Sequence, residues 1–310
     1  MTSSQSLDLV IVGTGPAGLT AALYAARYKL NALSIGQIDG GLMSEAHKIC
    51  NFPTELSISG LDLTSKMKAN ALSQGAIIEN GKVKDITKGE NSFEVILDNK
   101  EKYFTKTILL ATGTKHRQLG LKNENKFIGR GISYCATCDG MLFKNKIVAV
   151  IGGSDSALTS ALYLAEIASK VYIIYRGKAL RGEPAWLEKI NNKKNIEIIL
   201  NTNLKNLIGE EKLISVELDQ PYQNQPLLNL DGIFVEIGTE PDHGDYIKNL
   251  GIELDNNNYI KVDSSQKTNI RGIWAAGDIT NASNNFRQII TACAEGAIAA
   301  ESINRYIQLL

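Results

Sequence analysis

The 310-residue chain has no excess of charge of either sign. Lys plus Arg and Asp plus Glu both number 33, so no net field draws it toward nucleic acid or an anionic membrane, and any partner has to be recognised locally. Long apolar runs are also missing. Residues 1–6 are polar and uncharged and the apolar stretch that follows, LDLVIV at 7–12, is too short for a signal-peptide core or a membrane span, which points to the cytoplasm. Four cysteines in 310 residues argue against a disulfide scaffold. Low-complexity tracts and long linkers are absent, and 255–258 and 281–285 read as turns.

What the chain does have is a repeated architecture. LDLVIV runs into Gly13-Thr14-Gly15-Pro16-Ala17-Gly18, and Leu19, Ala22, Leu23 and Ala26 then recur at helical spacing. KIVAVI at 146–151 meets Gly152-Gly153-Ser154-Asp155-Ser156-Ala157, followed by Leu158, Ala161, Leu162 and Ala165 on one helical face. Each unit gains a further strand, 31–35 and 171–175, which completes two βαβ crossovers of the dinucleotide-binding type. Further strands are expected at 92–97, 103–110 and 231–238, and a late one ends in Gly277-Asp278 before a helix from about 286 to 306.

In the first turn, Gly13 permits the bend, Gly15 lets a pyrophosphate approach the backbone and Gly18 lets helix and strand pack closely. The acid that would read an NAD ribose after the second strand is missing, because Ile35 is followed by Gly36-Gln37, so this unit alone leaves FAD and NAD both open. Asp278 could accept a hydrogen bond from a polyol chain such as ribityl, or cap the segment that follows.

Cys135 and Cys138 lie in GISYCATCDG, and three roles compete for them. Structural zinc needs four ligands, whereas Cys50 and Cys293 are isolated and His47, His116 and His243 scattered, so no metal site is expected. A permanent bridge over two intervening residues closes too small a loop to stabilise much. A reversible dithiol is the favoured role, with Asp139 as the proton donor and acceptor that thiol exchange needs. Cys50 and Cys293 read as small core residues.

CATCDG, behind an N-terminal GTGPAG and ahead of a second glycine turn, resembles the low-molecular-weight thioredoxin reductases, which are FAD-dependent pyridine nucleotide-disulfide oxidoreductases. The likeness covers nearly the whole chain through ILLATG (108–113), Gly277-Asp278 and RQIITACAEGAIAA (287–300). It implies an α/β fold of two Rossmann-like, three-layer domains, the second inserted into the first. The FAD-binding domain would comprise 1–115 and 245–310, and a pyridine-nucleotide-type domain of 116–244 would carry the cysteine pair, with hinges near 115 and 244. The FAD positions map to Gly13, Gly15, Pro16, Ala17, Gly18, Gly36, Gln37, Gly41, Leu42, Asn51, Val83, Thr112, Gly113, Gly277, Asp278, Arg287, Gln288 and Ile289. The NAD(P)H positions map to Gly153, Ser154, Asp155, Ser156, Arg176 and Arg181. Electrons would pass from a donor, NADPH favoured, through FAD to the Cys135–Cys138 disulfide and on to a thioredoxin-like protein. Cys138 would face the flavin, Arg130 would help dock the partner, and the protein would be a homodimer with neither nucleic acid nor membrane as a partner.

The second nucleotide unit departs from that pattern. Ser154 replaces the second glycine, Thr159-Ser160 replace acids, and the His-Arg-Arg-x-x-Phe-Arg cradle for a 2′-phosphate reads Tyr175-Arg176-Gly177-Lys178-Ala179-Leu180-Arg181. Lys178 would replace the missing arginine only in part, since an ammonium lacks the planar fork of a guanidinium. NADH, ferredoxin or another flavin therefore stay open as donors. An FAD-dependent dithiol oxidase is the alternative reading of the fold, disfavoured by the reductase form of CATCDG.

Overall fold

A computed structural model describes residues 7–310; the polar segment 1–6, read above as free of a targeting signal, lies outside them. The chain begins β1 (Leu7–Val12), α1 (Pro16–Arg27), β2 (Ala32–Gly36), α2 (Gly60–Ser73), β3 (Ile77–Asn80), β4 (Val83–Lys88), β5 (Phe93–Leu97) and β6 (Lys102–Leu110). It continues β7 (Thr114–His116), α3 (Glu124–Phe127), β8 (Ile132–Ser133), α4 (Ala136–Asp139), β9 (Ile147–Ile151), α5 (Asp155–Leu164), β10 (Lys170–Tyr175), α6 (Pro184–Asn191) and β11 (Ile196–Leu200). It ends β12 (Leu204–Ile208), β13 (Ser215–Tyr222), β14 (Gln225–Asn229), β15 (Gly232–Val235), β16 (Thr239–Pro241), α7 (Tyr246–Asn249), β17 (Ile273–Ala275) and α8 (Ile289–Gln308).

These elements form two compact units, residues 7–115 with 241–310 and residues 116–240. The second crossing falls at 240/241, and beyond it Asp242 N–H donates to Gly113 O (3.0 Å) inside the first unit.

In the first unit β3, β2, β1, β6 and β17 run parallel in that order, and β5 and β4 continue antiparallel from the other half of β6. A parallel strand is covered on both faces, which is why LDLVIV reads as a continuous apolar run. Leu9 and Ile11 point into a layer built by Ala17, Ala21, Ala22 and Ala25 of α1 with Ala292, Ala299, Ala300 and Ile303 of α8. Val10 and Val12 join Phe93, Val95, Tyr246 and Ile247 on the opposite face. Alanine on both helices allows close approach, and Gly296 is needed there, since a Cβ at that position would lie 2.2 Å from Ala17 O. The last helix starts at Ile289, later than the 286 its pattern suggested, because the Gln288 N–H bonds to the Thr291 hydroxyl (3.0 Å) and Gln288 stays extended as the cap.

The second unit repeats the plan with β11, β10, β9, β15 and β8, all parallel. Val148 and Val150 face α5 through Ala157, Leu158, Ala161 and Leu164, whereas Ala149 and Ile151 face Leu207, Val216 and Leu228 of the antiparallel meander β12–β14. Both units are therefore three layers deep, around a mixed, mainly parallel sheet in the first and a parallel one in the second, the expected α/β class. The meander and α2 had no motif to announce them. Among the described residues no helix is long and apolar enough to cross a membrane, and no His/Cys/Asp/Glu group of metal-binding composition occurs.

Candidate active site

The first glycine turn joins β1 to α1. Gly13 has φ +116°, and a Cβ there would lie 2.2 Å from Ala111 O, so the backbone just after β6 leaves room for no side chain. At Gly15 the situation is the reverse, with only Gly40 O, 3.9 Å away, near the place a Cβ would take. That open space sits at the N-terminus of a 12-residue helix with Pro16 in its first turn and no acid, a setting suited to a pyrophosphate. Ala17 and Gly18 are buried beneath it. Gly36 ends β2 against the Thr14 side chain and Gln37 is exposed, while Gly41 and Leu42 open the 3₁₀ turn Gly41–Glu45, whose Gly40 N–H donates to Thr14 O (2.8 Å). Thr112 and Gly113 follow β6, and Val83 opens β4 against the core.

Residues far apart in sequence converge here. Asn51 Nδ2 donates to Gln288 Oε1 (3.0 Å) across 237 positions, and Ile289 packs on the small cluster of Met43, Ile49, Ile58 and Leu63. The Arg287 guanidinium stacks on Tyr259, 3.6 Å from the ring centroid, and donates through Nη2 to Asn285 (3.0 Å). Its Nε is buried with no partner among the described residues. Asp278 follows the buried Gly277, and burial pushes its carboxyl up to about 6, Arg287 pulling it down and Glu295 adding to the rise. An open glycine cradle, an unpaired buried guanidinium nitrogen and a carboxyl driven toward its neutral form are what a phosphate-bearing polyol would satisfy, so these residues fit FAD.

Glu295 escaped the sequence reading. It is buried in α8 and receives three hydrogen bonds, from Gly277 N–H (2.8 Å), the Thr280 hydroxyl (3.0 Å) and the Ser283 hydroxyl (2.6 Å), which hold the turn carrying Asp278. An acid inside the otherwise apolar run ACAEGAIAA was the available signal. Glu295→Ala leaves those donors without their acceptor and is expected to destabilise the protein by about 3 kcal/mol, with Glu295→Gln costing less, in chemical denaturation.

In the second unit Cys135 and Cys138 form a disulfide with Cα atoms 5.3 Å apart. Cys135 is half-buried and caps α4, Cys138 is exposed, and the Cys138 N–H points at the Cys135 sulfur (3.1 Å). Asp139 is the next residue in the same turn and is half-buried. The turn is anchored from below: buried Glu124 accepts Leu119 N–H and Gly120 N–H (2.8 Å each) and the hydroxyl of Tyr134, the residue before Cys135. Burial and that carboxylate push the Tyr134 phenol well above its usual range, so it stays a donor. Arg130 lies in the loop before β8 and is exposed, and its carbonyl accepts Leu213 N–H (2.9 Å). Cys50 is not the core residue its type suggested: it is exposed beside Asn51. Cys293 is half-buried, and burial raises its thiol pKa.

The second glycine turn is built differently from the first. Ser154 caps α5 without a side-chain capping bond, Asp155 Oδ1 accepts Glu183 N–H (2.6 Å), and Ser156 is exposed. Arg176 and Arg181 are exposed, but the Arg181 guanidinium lies over the Tyr175 ring (5.6 Å) and its backbone N–H donates to Gly153 O (2.6 Å). The space over Gly153 is filled by the Tyr175 ring, so these residues do not fit the adenosine end of a dinucleotide.

The sequence matches the pyridine nucleotide-disulphide oxidoreductase family over residues 7–296. It is 36% identical over 314 aligned positions to the thioredoxin reductase of Listeria innocua, covering 100% of this chain and 97% of that one. The structure superimposes on Lactococcus lactis thioredoxin reductase with a TM-score of 0.92 at 34% identity, covering 98% and 100% of the two chains. It superimposes on T. acidophilum thioredoxin reductase with a TM-score of 0.89 at 34% identity, covering 98% and 99%. With a glycine cradle that fits FAD in one unit and a cysteine pair in a reductase-type turn in the other, the chain belongs to the pyridine nucleotide-disulphide oxidoreductases and is an FAD-dependent disulfide oxidoreductase of the thioredoxin reductase type.

Proposed function

We propose that this protein reduces the disulfide of a thioredoxin-like protein in the cytoplasm through Cys135 and Cys138. The observation that carries the reading is the bonded pair in a turn that leaves Cys138 exposed, with an acid as the next residue. FAD held by the residues of the first unit, and reduced there by an external two-electron donor, would supply the two electrons that together with two protons convert the disulfide to two thiols. The Cys138 N–H favours a thiolate at Cys135, which attacks one sulfur of the partner's disulfide. The departing partner sulfur takes a proton, which Asp139, the residue after Cys138, would supply. Cys138 then attacks Cys135, its bond to the partner breaks, the partner leaves as a dithiol, and the internal disulfide is restored. Dithionite-reduced protein mixed with oxidised thioredoxin should yield two new thiols per thioredoxin; no transfer would refute the reading.

A macromolecular partner suits the surface beside the pair. Met141 and Leu142, in the 3₁₀ turn Gly140–Phe143 that follows Asp139, are 60% and 69% exposed. Leu142→Asp is expected to raise the KM for thioredoxin about tenfold, the equivalent of one buried leucine, while kcat and the reduction of a small disulfide reagent stay unchanged.

A further inference from the structure

In a dinucleotide-binding unit the end of the second parallel strand reads the adenosine ribose, through an acid for NAD or nearby arginines for a 2′-phosphate. Here that strand, β10, ends at Tyr175, whose side chain turns back and is 9% exposed. A Cβ added at Gly153 would lie 2.5 Å from the Tyr175 Cγ, and one added at Gly177 would lie 2.4 Å from its Cε1. The ring is thus lodged between the backbone of the glycine turn and the loop that follows its own strand. Three ties hold that loop down: Arg181 N–H to Gly153 O, Glu183 N–H to Asp155 Oδ1, and Asn201 N–H to Gly177 O (3.0 Å). The Arg181 guanidinium lies over the same ring, 5.6 Å from its centroid.

We propose that Tyr175 is a specificity-determining residue that fills the adenosine half-site of the second unit, so that this chain holds neither NADPH nor NADH there. Tyr175 and Gly177 form a coupled pair. With the ring in place no side chain fits at 177, the position where the resemblance puts an arginine of the 2′-phosphate cradle. The missing arginine is therefore a steric consequence of the tyrosine, and Lys178, exposed on the same loop, cannot restore the cradle while the ring remains. A reductant for the dithiol reaction has to be recognised elsewhere on the chain. The inference rests on the function proposed above for its consequence, but nucleotide binding is measured independently of thiol transfer, so the two can fail separately.

The test is calorimetric titration of the FAD-loaded holoprotein with 2′,5′-ADP, the flavin absorbance showing that the first unit is occupied. Wild type and Tyr175→Phe are expected to give no saturable heat, whereas Tyr175→Ala gains saturable binding at least tenfold tighter than the weakest affinity the titration detects. Saturable binding to wild type, or no gain in a Tyr175→Ala protein that keeps its flavin, overturns the proposal. Because removing a buried ring can unfold the unit, thermal melting of a second set decides the coupling. Gly177→Arg alone should lower the melting temperature, and Tyr175→His with Gly177→Arg should recover most of the loss and bind 2′,5′-ADP. If Gly177→Arg melts like wild type, the coupling is wrong and the proposal falls with it.

Discussion

Serine at either Cys135 or Cys138 should lower steady-state reduction of thioredoxin by about a thousandfold or more, because a hydroxyl cannot form or release the internal disulfide and groups that act as one unit fail together. The two variants should nevertheless differ in what they accumulate. The Cys138 N–H is aimed at the Cys135 sulfur, so a thiolate at 135 is the better stabilised of the two and is the one expected to attack. With Cys138→Ser nothing resolves the bond that forms, and thioredoxin should remain attached to Cys135 as a mixed disulfide visible by intact mass. With Cys135→Ser that adduct should be scarce, although Cys138 is the more exposed residue. Equal trapping by both variants would show that exposure, rather than the hydrogen bond, chooses the nucleophile, and unchanged turnover in either would remove the dithiol from the reaction.

How much of this was legible in the sequence depends on whether a residue's role is local. Gly13 and the run LDLVIV announce themselves because a tight turn and a strand buried on both faces each impose a pattern within a few neighbours. CATCDG does the same for the redox pair, since a reversible disulfide needs its partners within one turn. The meander β12–β14 was missed: its strands are partly exposed, and their apolar face is filled by residues of other strands, among them Ala149, Ile151, Ile174 and Ile233. Tyr259 and Glu295 were missed for a related reason. A tyrosine that stacks on Arg287 and a glutamate that holds the Asp278 turn are defined by what the fold brings to them. At Tyr175 the departure from the family pattern was visible in the letters, but not that the ring would turn inward onto Gly153 and so account for the glycine at 177.

FAD affinity should rise with pH between about 4 and 6 and level off above, with Asp278 as the cause. In the FAD-free protein burial holds its carboxyl at about 6, against an ordinary 3.8. The folded state therefore binds this proton more tightly than the unfolded chain, and its contribution to stability is fully present below the ordinary value. That contribution is lost as pH rises through about 6, a fall of at most about 3 kcal/mol. Asp278→Asn removes the titration, so the FAD-free variant should be more stable than wild type at pH 7 and flat across the window. Binding runs the other way. A polyol hydroxyl donating to the carboxylate favours the ionised form, so FAD uptake below pH 6 expels the proton and is weakened by it. Losing that charged acceptor should cost the Asn variant about ten- to a hundredfold in FAD affinity at pH 7, the equivalent of about 1.5–3 kcal/mol. Fluorescence titration of FAD into the FAD-free protein from pH 4.5 to 8, beside melting curves at the same pH values, reads both slopes. If wild-type affinity is constant over that range, or if the variant binds as tightly as wild type, then Asp278 is not the acceptor, and the carboxyl beside Arg287 and Glu295 serves only the fold.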